Sequence, residues 1–442
     1  MPKPIPILIG EVMVDFTMPT RRADAKVRLG GVVHAARGLW ASGKEYAVGA
    51  FCPGYLVEQA RDYLTQHGCR DFMLLGEVTG APNVVAIADV REVGHQGYED
   101  LLRGERKIVA NGDHTDLSRF DTIVVFPGSY DLGAVINQLK PGARVTIDAA
   151  YDVDSADALR SLKGRIESIV ISTSSSLFSM LASSEIAPLV NLAKSVGAKN
   201  LLLKENRGGS RLFDLEANDI EYITATLDVT INSVGVGDVF TAVFGSFEGG
   251  ARDAAWRGMQ VATVYSQTTW PDDLQRDVER ELRMPVEVVR GLGGVTLPWH
   301  MRPGLQIYLA APDFSYSDHK EISDAVAALE YHNFRVRRPV KENGEAKPGA
   351  SIESLSSFYF GDVRLLQECT AVFAIPIERD PGTLVEIGLA IQMGKPVITF
   401  DPRSENRNTM VVIGSASYSS DLDACLNGVF DALSKLQRNN TR

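Results

Sequence analysis

Short runs of aliphatic and β-branched residues alternate with helical patterns along almost the whole chain. Examples of these runs are IPILIGEVMVDF at 5–16, DTIVVFPG at 121–128 and NLLLKE at 200–205, and one helical pattern extends from Tyr55 to His67. Such alternation is typical of layered domains in which helices cover a sheet. It therefore predicts the α/β fold class.

The alternation stops once and then starts again. Between residues 271 and 303 a charged helical pattern is followed by glycine and proline residues, and this composition favours a linker. A new α/β pattern begins at LQIYLAAPDF, residues 305–314, and the roughly 140 residues there suffice for an independent domain. Because 442 residues are too many for one ordinary core, we predict domains at 1–270 and 304–442, joined by a linker at 271–303.

The composition excludes several classes of function. A formal net charge of -11 argues against a general binder of nucleic acid or of anionic membranes. No apolar run approaches the ~18 residues needed to span a bilayer, and the N-terminal residues lack the features of a secretory signal. The cysteines and histidines are dispersed, without CxxC or HExxH spacing, so we expect reduced thiols and neither a metal site nor disulfides. These features favour a cytoplasmic protein.

A glycine-rich turn precedes a helical pattern in NSVGVGDVFTAVF, residues 232–244. Backbone N–H groups at such a helix start converge on one point, which suits a phosphate group. Asp238, directly after the two glycines, could accept a proton from a substrate hydroxyl. The same residues also fit an ordinary turn and helix cap, so the segment alone leaves both interpretations open.

Four segments in a fixed order extend this observation. They are GEVMVDFT, LGGVVHAARGLWASG, LLLKENRGGSRLF and GVGD. The series resembles the PfkB/ribokinase family of sugar and nucleoside kinases, from about Pro4 to Thr268. The resemblance implies a ribokinase-like three-layer α/β/α fold that uses ATP and Mg²⁺ if the domain is active.

The resemblance also implies roles for eight residues. They are Asp238 as catalytic base, Gly235, Val236 and Gly237 as anion hole, and Asp15, Gly30, Gly31 and His34 as contacts to the sugar. His34 stands roughly where the family usually has a sugar-binding Asn. Ordinary explanations remain open, since Asp15 could end a strand and the glycines could simply turn the chain.

The first domain departs from the kinase pattern in three places. The family's Asn-x-x-Glu motif should fall near ISTSSSLFSM, residues 171–180, where only Ser and Thr stand. Asn232 replaces the Asp that usually opens the glycine-rich motif, and the usual Gly after the late strand is replaced within KENRGG. Because phosphoryl transfer depends on charge neutralisation by metal, the domain could be a slow kinase, a kinase of altered specificity or a nucleoside-binding module.

One carboxylate interrupts the apolar segment GTLVEIGLAIQMGKPVI, residues 382–398. Thr383, followed three residues later by Glu386, fits a capping box at the start of a helix. There the carboxylate would also lie at the positive end of the helix dipole. This structural interpretation could explain Glu386 unaided.

Other polar and aromatic residues are expected near Glu386. Asp380 follows a predicted strand, Asp362 opens a predicted helix at GDVRLLQE, and Tyr308 and Phe314 belong to the first strand of the domain and its loop. Ligands of open α/β sheets gather at the carboxyl ends of the strands. Convergent acids beside aromatic rings suit a sugar joined to a flat base.

Three segments of the second domain match a known pattern in order and spacing. They are IYLAAPDF, DVRLLQECTAVFAI and DPGTLVEIGLAIQMGKPVI. The domain thus resembles nucleoside 2-deoxyribosyltransferases from about Leu305 to Leu436, which implies a flavodoxin-like doubly wound α/β fold. Cys369 and Thr370 depart from the pattern, because relatives usually carry an acid there.

This second resemblance implies a set of site residues. They are Glu386 as nucleophile on the anomeric carbon, Asp380 and Asp362 at the leaving base, Tyr308 orienting Glu386, Phe314 stacking on the base, Gly382 within the substrate-binding motif, and Asn408 as a late contact that could be offered to a neighbouring subunit. The chemistry would follow that of retaining glycosidases, with a glycosyl-enzyme ester resolved by an acceptor. A base as acceptor makes the enzyme a transferase, and water makes it a hydrolase.

The sequence thus predicts a bifunctional enzyme of nucleoside metabolism. It would cleave or transfer an N-glycosidic bond through glycosyl-Glu386 and phosphorylate a sugar or nucleoside hydroxyl with ATP. The alternative is an N-glycoside hydrolase of nucleotides or nucleotide cofactors, with the kinase-like domain as a non-catalytic nucleoside sensor or oligomerisation platform. We expect a small-molecule substrate, no nucleic-acid or membrane partner, no cofactor for the second domain, and a homo-oligomer, since relatives of both domains commonly self-associate.

Overall fold

The structure is a computed structural model that describes residues 5–20, 24–95, 97–111, 116–317 and 319–440. It divides into two compact units. The first extends to Gly294 except for two short segments, and the second holds residues from Val295 onward together with those segments, 92–95 and 227–229.

The described residues of the first unit form both strands and helices. The strands are β1 (Ile7–Thr17), β2 (Lys26–Gly31), β3 (Tyr46–Pro53), β4 (Cys69–Thr79), β5 (Val84–Ile87), β6 (Tyr98–Asp100), β7 (Lys107–Ala110), β8 (Thr122–Val125), β9 (Arg144–Asp148), β10 (Ser168–Ser172), β11 (Asn200–Lys204), β12 (Ser210–Asp214) and β13 (Asp219–Ile223). The helices are α1 (Val32–Ala41), α2 (Val57–Gln66), α3 (Leu132–Asn137), α4 (Ala156–Arg160), α5 (Ser176–Ala182), α6 (Ala187–Ser195), α7 (Val236–Ser246), α8 (Ala251–Gln267), α9 (Pro271–Leu282) and α10 (Val286–Leu292).

The large sheet of the first unit has the order β13-β12-β11-β10-β9-β8-β1-β3-β4-β7. Its central strands, from β11 to β4, are parallel, and the strands beyond them are antiparallel. Beyond Glu11, strand β1 pairs instead with β2 and β5. This branch places Asp15 directly opposite Arg28, and Met13 opposite Gly30.

Both faces of the large sheet are buried. Leu8 and Val48 belong to a core cluster that they share with residues of α1, α7 and α8. Neighbouring residues of a strand point to opposite faces, and Ile7 and Ile9 are fully buried as well. The first unit therefore has three layers, and the predicted fold class is confirmed.

The segment predicted as a linker begins with two helices. Leu274 and Val278 of α9, and Val286 and Val289 of α10, are buried in the core cluster of the first unit. The charged residues that suggested a linker occupy the outer face of α9, where Arg276 is exposed and its acidic partners Asp273 and Asp277 are partly exposed. The first compact unit ends at Gly294, inside the predicted linker, and the start of that segment packs on the unit because an amphipathic helix with few apolar positions still buries its apolar stripe.

The second unit contains a smaller sheet. Its strands are β14 (Ile307–Ala310), β15 (Val336–Arg337), β16 (Ala371–Ala374), β17 (Val397–Phe400) and β18 (Ser417–Ser419), and its helices are α11 (Lys320–Tyr331), α12 (Pro339–Asn343), α13 (Ile352–Glu368), α14 (Pro381–Gln392), α15 (Thr409–Gly414) and α16 (Leu422–Asn440). The strand order is β15-β14-β16-β17-β18, and every pairing is parallel. This is the flavodoxin-like doubly wound order, so ligands are expected at the carboxyl ends of β14 and β16.

All four cysteines are free and buried, two in each unit. They are Cys52, Cys69, Cys369 and Cys425. Among the described residues, no single helix is both long and apolar enough to cross a membrane, and only the pair α5 and α6, bent by 110° at the break between them, meets length and composition limits together.

Candidate active sites

Glu386 of the second unit lies beyond the helix cap that the sequence suggested. The N-cap of α14 is Asp380, whose Oδ2 accepts hydrogen bonds from Thr383 N at 2.7 Å and from Thr383 Oγ1 at 2.8 Å. Pro381 opens the helix, so Glu386 is its sixth residue. The predicted capping box between Thr383 and Glu386 is therefore wrong, since Asp380 already satisfies the helix start. Glu386 is left for another contact.

That contact is a hydrogen bond from Tyr308. The Tyr308 hydroxyl, at the end of a fully buried side chain on β14, donates to Glu386 Oε1 at 2.5 Å. Burial raises the pKa of Glu386 to about 8; the bond from Tyr308 lowers it, whereas the charges of Asp362 and Asp380 raise it further. Glu386 therefore lies close enough to both Asp362 and Asp380 to be repelled by their charges.

Asp362 is held by an amide that the sequence did not indicate. It lies on α13, and its Oδ1 accepts a hydrogen bond from Asn343 Nδ2, at the end of α12, at 2.8 Å. Burial raises the pKa of Asp362, while the bond from Asn343 opposes the rise. A partly buried acid of this kind can keep its proton and deliver it to a leaving group.

The loop that leads to Asp380 has an unusual backbone. Glu378 and Arg379 both have positive φ values, 59° and 54°, a region that non-glycine residues rarely adopt. Glu378 N donates to Glu405 Oε2 at 2.9 Å, and Arg379 Nε donates to the Glu405 carbonyl at 3.1 Å. Strained residues concentrate at functional sites, and this pair directly precedes the predicted acid.

The remaining predicted residues of the second unit are placed as follows. Phe314, after β14, stacks on Tyr316 with ring centroids 5.2 Å apart. A side chain at Gly382 would come within 3.2 Å of Asp380 Oδ2. Asn408 is exposed and caps α15 by accepting from Met410 N at 2.9 Å. Among the described residues, a hydrogen bond thus joins Tyr308 to Glu386 and the charges of Asp362 and Asp380 act on Glu386, whereas no contact described above joins Phe314 or Asn408 to this group.

In the first unit, Asp15 and His34 form a buried pair. His34 Nε2 lies 2.8 Å from Asp15 Oδ2, and Arg28 Nε donates to the same oxygen at 3.2 Å. Burial alone would raise the pKa of Asp15, but His34, Arg28 and Arg37 together lower it. Burial lowers the pKa of His34 to about 4, despite the attraction of Asp15.

Glycines of the first unit leave the space that the Asp15 and His34 side chains occupy. A side chain at Gly30 would come within 2.0 Å of Asp15 Oδ1, and one at Gly31, whose φ is 61°, within 2.2 Å of the Glu11 carbonyl. Gly235, with φ of 82°, precedes α7, and a side chain there would meet His34 Cγ at 2.2 Å. The predicted sugar-site residues and the glycine-rich turn are thus brought together.

The predicted anion hole is the first turn of α7. The Val236 N–H donates to the Ser233 carbonyl at 3.1 Å and is engaged in the turn. Gly237 and Asp238 follow it at the start of the helix, where N–H groups lack partners within the helix. Gly237 and Asp238 are therefore better placed than Val236 to present N–H groups to an anion.

Asp238 lies near a buried ion pair that sequence reasoning missed. Lys204 Nζ, at the end of β11, donates to Asp148 Oδ2 at 2.8 Å and to the Gly237 carbonyl at 3.2 Å, and Thr241 also donates to Asp148. Burial and the charge of Asp148 raise the pKa of Asp238 to about 8, although Lys204 opposes the rise. The run LLLKE carried the lysine, but no local spacing linked it to Asp148.

The described residues do not fit the magnesium network that the kinase resemblance implies. Where the family has a glutamate, Ser172 and Ser174 pair through their hydroxyls at 2.9 Å, and Ser175 caps α5 by accepting from Phe178 N at 3.1 Å. In the whole described part of the chain, no group of three or more His, Cys, Asp and Glu side chains could hold a metal ion.

Residues 307–422 match the family model for nucleoside 2-deoxyribosyltransferase. The match contains Tyr308, Asp362, Asp380 and Glu386, and it confirms the resemblance predicted for the second domain. No curated protein matches the chain.

Several solved structures are similar to the larger part of the chain. They are a probable sugar kinase from Rhizobium etli CFN 42 (11% identity, 64% of this chain and 100% of that chain, TM-score 0.48), ribokinase from Cryptococcus neoformans var. grubii serotype A in complex with ADP (13%, 64% and 100%, 0.47) and a putative ribokinase II from E. coli in complex with ATP and Mg²⁺ (12%, 63% and 99%, 0.47).

Proposed function

We propose that the second unit cleaves or exchanges the N-glycosidic bond of a nucleoside through a covalent ester between Glu386 and the pentose. The observation that carries the proposal is the 2.5 Å hydrogen bond from Tyr308 to Glu386. It lies where a doubly wound sheet binds its ligands, within the segment that the family model matches.

The carboxylate of Glu386 acts as the nucleophile. Its oxygen bonds to the anomeric carbon while the bond from that carbon to the base nitrogen breaks, and the electron pair leaves with the base. Tyr308 fixes the carboxylate in place and, by donating to it, favours its ionised form. Glu386 must lose its proton before it can attack.

The leaving base takes its proton from Asp362. Burial raises the pKa of this carboxyl, and Asn343 fixes its orientation. Asp380 commits Oδ2 to the helix cap, so its other oxygen is available to hydrogen-bond the base. A second base, or water, then gives its proton to Asp362 as it attacks the anomeric carbon, and the ester bond breaks to release the Glu386 carboxylate.

Incubation of the full chain with a 2′-deoxynucleoside and a different free base tests the proposal. Chromatography should show a new nucleoside, or a free base and pentose. Glu386→Gln, which keeps the shape of the side chain, should abolish either reaction, and mass spectrometry should find the pentose on Glu386 of the native chain. Undiminished turnover by Glu386→Gln would overturn the proposal.

We further propose that the first unit transfers a phosphoryl group from ATP to a sugar or nucleoside hydroxyl. The first turn of α7 would receive the phosphate, Asp238 would accept the hydroxyl proton, and the Asp15–His34 pair would bind the sugar. Support comes from the approach of Gly235 to His34 and of Gly30 to Asp15. Turnover of ATP with a nucleoside, lost in Asp238→Asn, would support this second activity.

The alternative is an N-glycoside hydrolase whose first unit only senses a nucleoside. The poor fit of the serine-rich segment to a magnesium network favours this interpretation. Release of free base without any added acceptor, together with nucleoside binding and no ATP turnover, would establish it. Phosphorylation of any nucleoside would exclude it.

A further inference from the structure

Two loops of the second unit meet beside the candidate active site. Residues 375–379 lead from β16 to Asp380, the N-cap of α14, and residues 401–407 lead from β17 to α15. The two strands are parallel neighbours, so both loops lie at the carboxyl edge of the sheet, where ligands bind. Side chains of the later loop are therefore placed to act on the position of Asp380.

Asn406 makes a buried contact between these loops. Its Nδ2 donates to the Pro376 carbonyl at 2.5 Å and to Asp401 Oδ1 at 3.3 Å. A backbone carbonyl accepts hydrogen bonds and cannot donate them, so the amide must turn its nitrogen toward Pro376. This bond fixes the start of the loop that leads to Asp380.

Asp401 holds Asn406 in place. It is buried directly after β17, and its Oδ2 accepts hydrogen bonds from Asn406 N at 2.8 Å and from the Tyr418 hydroxyl at 2.5 Å. Its Oδ1 also accepts from Glu405 N at 3.1 Å. Burial alone would raise the pKa of Asp401, but the bonds from Tyr418 and from residues 405 and 406 lower it. The carboxylate therefore stays ionised at neutral pH and orders the loop around it.

Glu405 holds the middle of the loop before Asp380. Its Oε2 accepts from Glu378 N and its carbonyl accepts from Arg379 Nε, at 2.9 Å and 3.1 Å. Positive φ values such as those of Glu378 and Arg379 are unfavourable for residues other than glycine. They persist only where neighbouring contacts over-determine them, and the bonds from Glu405 and Asn406 are such contacts. Relaxation of this loop would move Asp380, which follows it directly.

We infer that Asn406 and Glu405 are positioning residues, which fix the direction of the Asp380 carboxylate by holding the loop before it. The inference rests on the glycosidic cleavage proposed above, because that reaction gives Asp380 its contact with the leaving base. Neither positioning residue would touch the base or the pentose. Without their bonds, residues 376–379 should relax, and the free oxygen of Asp380 should lose its alignment with the base.

Kinetics of base release by the full chain test the inference. Asn406→Ala should lower kcat about tenfold, which corresponds to about 1.4 kcal/mol, the size of one hydrogen bond. In the Asp380→Asn background, the same substitution should change kcat by less than about twofold, because a residue that acts through the Asp380 carboxylate then has nothing left to position. A purely structural role would give the same fold loss in both backgrounds.

Two further variants accompany this cycle. Asn333→Ala is the matched control, because Asn333 Nδ2 donates to the Trp299 carbonyl at 2.9 Å but lies before β15, at the opposite edge of the sheet. It should lower the free energy of unfolding in urea and keep the native kcat. Glu405→Ala removes a partly exposed side chain and should lower kcat severalfold, again only while Asp380 is present. It tests the same loop if Asn406→Ala does not fold.

Hydrogen exchange provides a readout that needs no turnover. Amides of residues 377–384 should exchange about tenfold faster in Asn406→Ala than in the native chain, and at the native rate in Asn333→Ala. Unchanged exchange in Asn406→Ala and Glu405→Ala, native kcat in both, or equal losses in the two backgrounds would refute the inference and leave the cleavage intact. Absence of base release by the native chain would instead refute the cleavage, and with it the role of Asp380 on which the inference depends.

Discussion

A single hydrogen bond governs the residue at the centre of the second unit. Glu386 has a pKa of about 8 because burial outweighs the bond that it accepts from Tyr308. At neutral pH the Glu386 carboxyl would therefore be protonated in most molecules of the free enzyme. The ionised, reactive form depends on the tyrosine.

Tyr308→Phe should shift the pH dependence of base release. In the native chain the ascending limb of kcat/KM should lie near pH 8, because kcat/KM reports the pKa values of groups in the free enzyme. Loss of the hydroxyl removes a bond that favours the charged form, so the limb should move to higher pH and the rate at pH 7 should fall. Tyr331→Phe, whose hydroxyl donates to Glu92 in the same unit, is the matched control. Identical pH profiles for Tyr308→Phe and the native chain would contradict the assignment.

At single positions, the sequence could identify residue types but not their partners. Glu386 and Tyr308 were predicted together, since a family pattern connects them. Asn343 and Lys204 were missed because each meets its acid through the fold, across 19 and 56 positions of the chain. No local spacing signals such pairs.

Among the elements, the start of α7 is the most constrained. Gly235 has φ of 82° and also faces the His34 ring. Gly43, after α1, has φ of 70°, but a side chain added at that position would meet nothing within 4 Å. A substitution of Gly43 therefore measures the cost of backbone strain alone, whereas a substitution of Gly235 adds the cost of a steric clash.

Gly43→Ala should cost on the order of 1–2 kcal/mol, the strain of a left-handed alanine. Gly235→Ala should cost about 3 kcal/mol or more, because the 2.2 Å approach to His34 Cγ forces the ring to move and adds overpacking. Urea unfolding of both variants measures the difference. Equal losses of stability would show that the ring yields without cost.

Two substitutions of Asp380 should separate its cap from its chemistry. Asp380→Ala removes the cap of α14 and should lower the free energy of unfolding by about 1 kcal/mol. Asp380→Asn keeps a good cap and should unfold like the native chain, yet turnover should fall by about 10²-fold or more if the charge acts on the base. Full activity of Asp380→Asn would leave the residue with a structural role only.

The helices show where sequence patterns were ambiguous. Asp380 and Thr383 could each be the N-cap of α14, because each is followed three residues later by a residue that can complete the cap. Only the backbone of the preceding loop decides which of them is the N-cap. The two positive φ values there, at Glu378 and Arg379, follow from no local rule. By contrast, the alternation of strands and helices was enough to predict the α/β fold class. Strands that alternate with helices form a sheet with helices packed on its faces.

In the whole molecule, the two candidate sites belong to different compact units. Asp238→Asn should remove ATP turnover and leave base release within about twofold, and Glu386→Gln should do the reverse, because substitutions at sites that share no residues are expected to behave additively. Parallel assays of both reactions on the two variants measure this. Loss of both reactions through either substitution would show that the sites act as one.

The extent of the first unit was the least predictable feature of the molecule. The sequence predicted a linker at 271–303, and the compact unit ends inside this segment, at Gly294. The 271–292 region has a high charge content, and only a few of its positions, such as Leu274 and Val278, are buried. Composition averages over a helix, but packing depends on one face of it.

The buried thiols supply each unit with its own reporter of transient opening. Burial raises the pKa of Cys52 and Cys425 to about 12 and that of Cys69 and Cys369 to about 11, so reactive thiolate is scarce while the chain stays closed. The rate of alkylation by iodoacetamide under native conditions should then be limited by local opening of the structure around each thiol. Peptide mapping of the label would time the two halves of the protein separately, with no engineered probe.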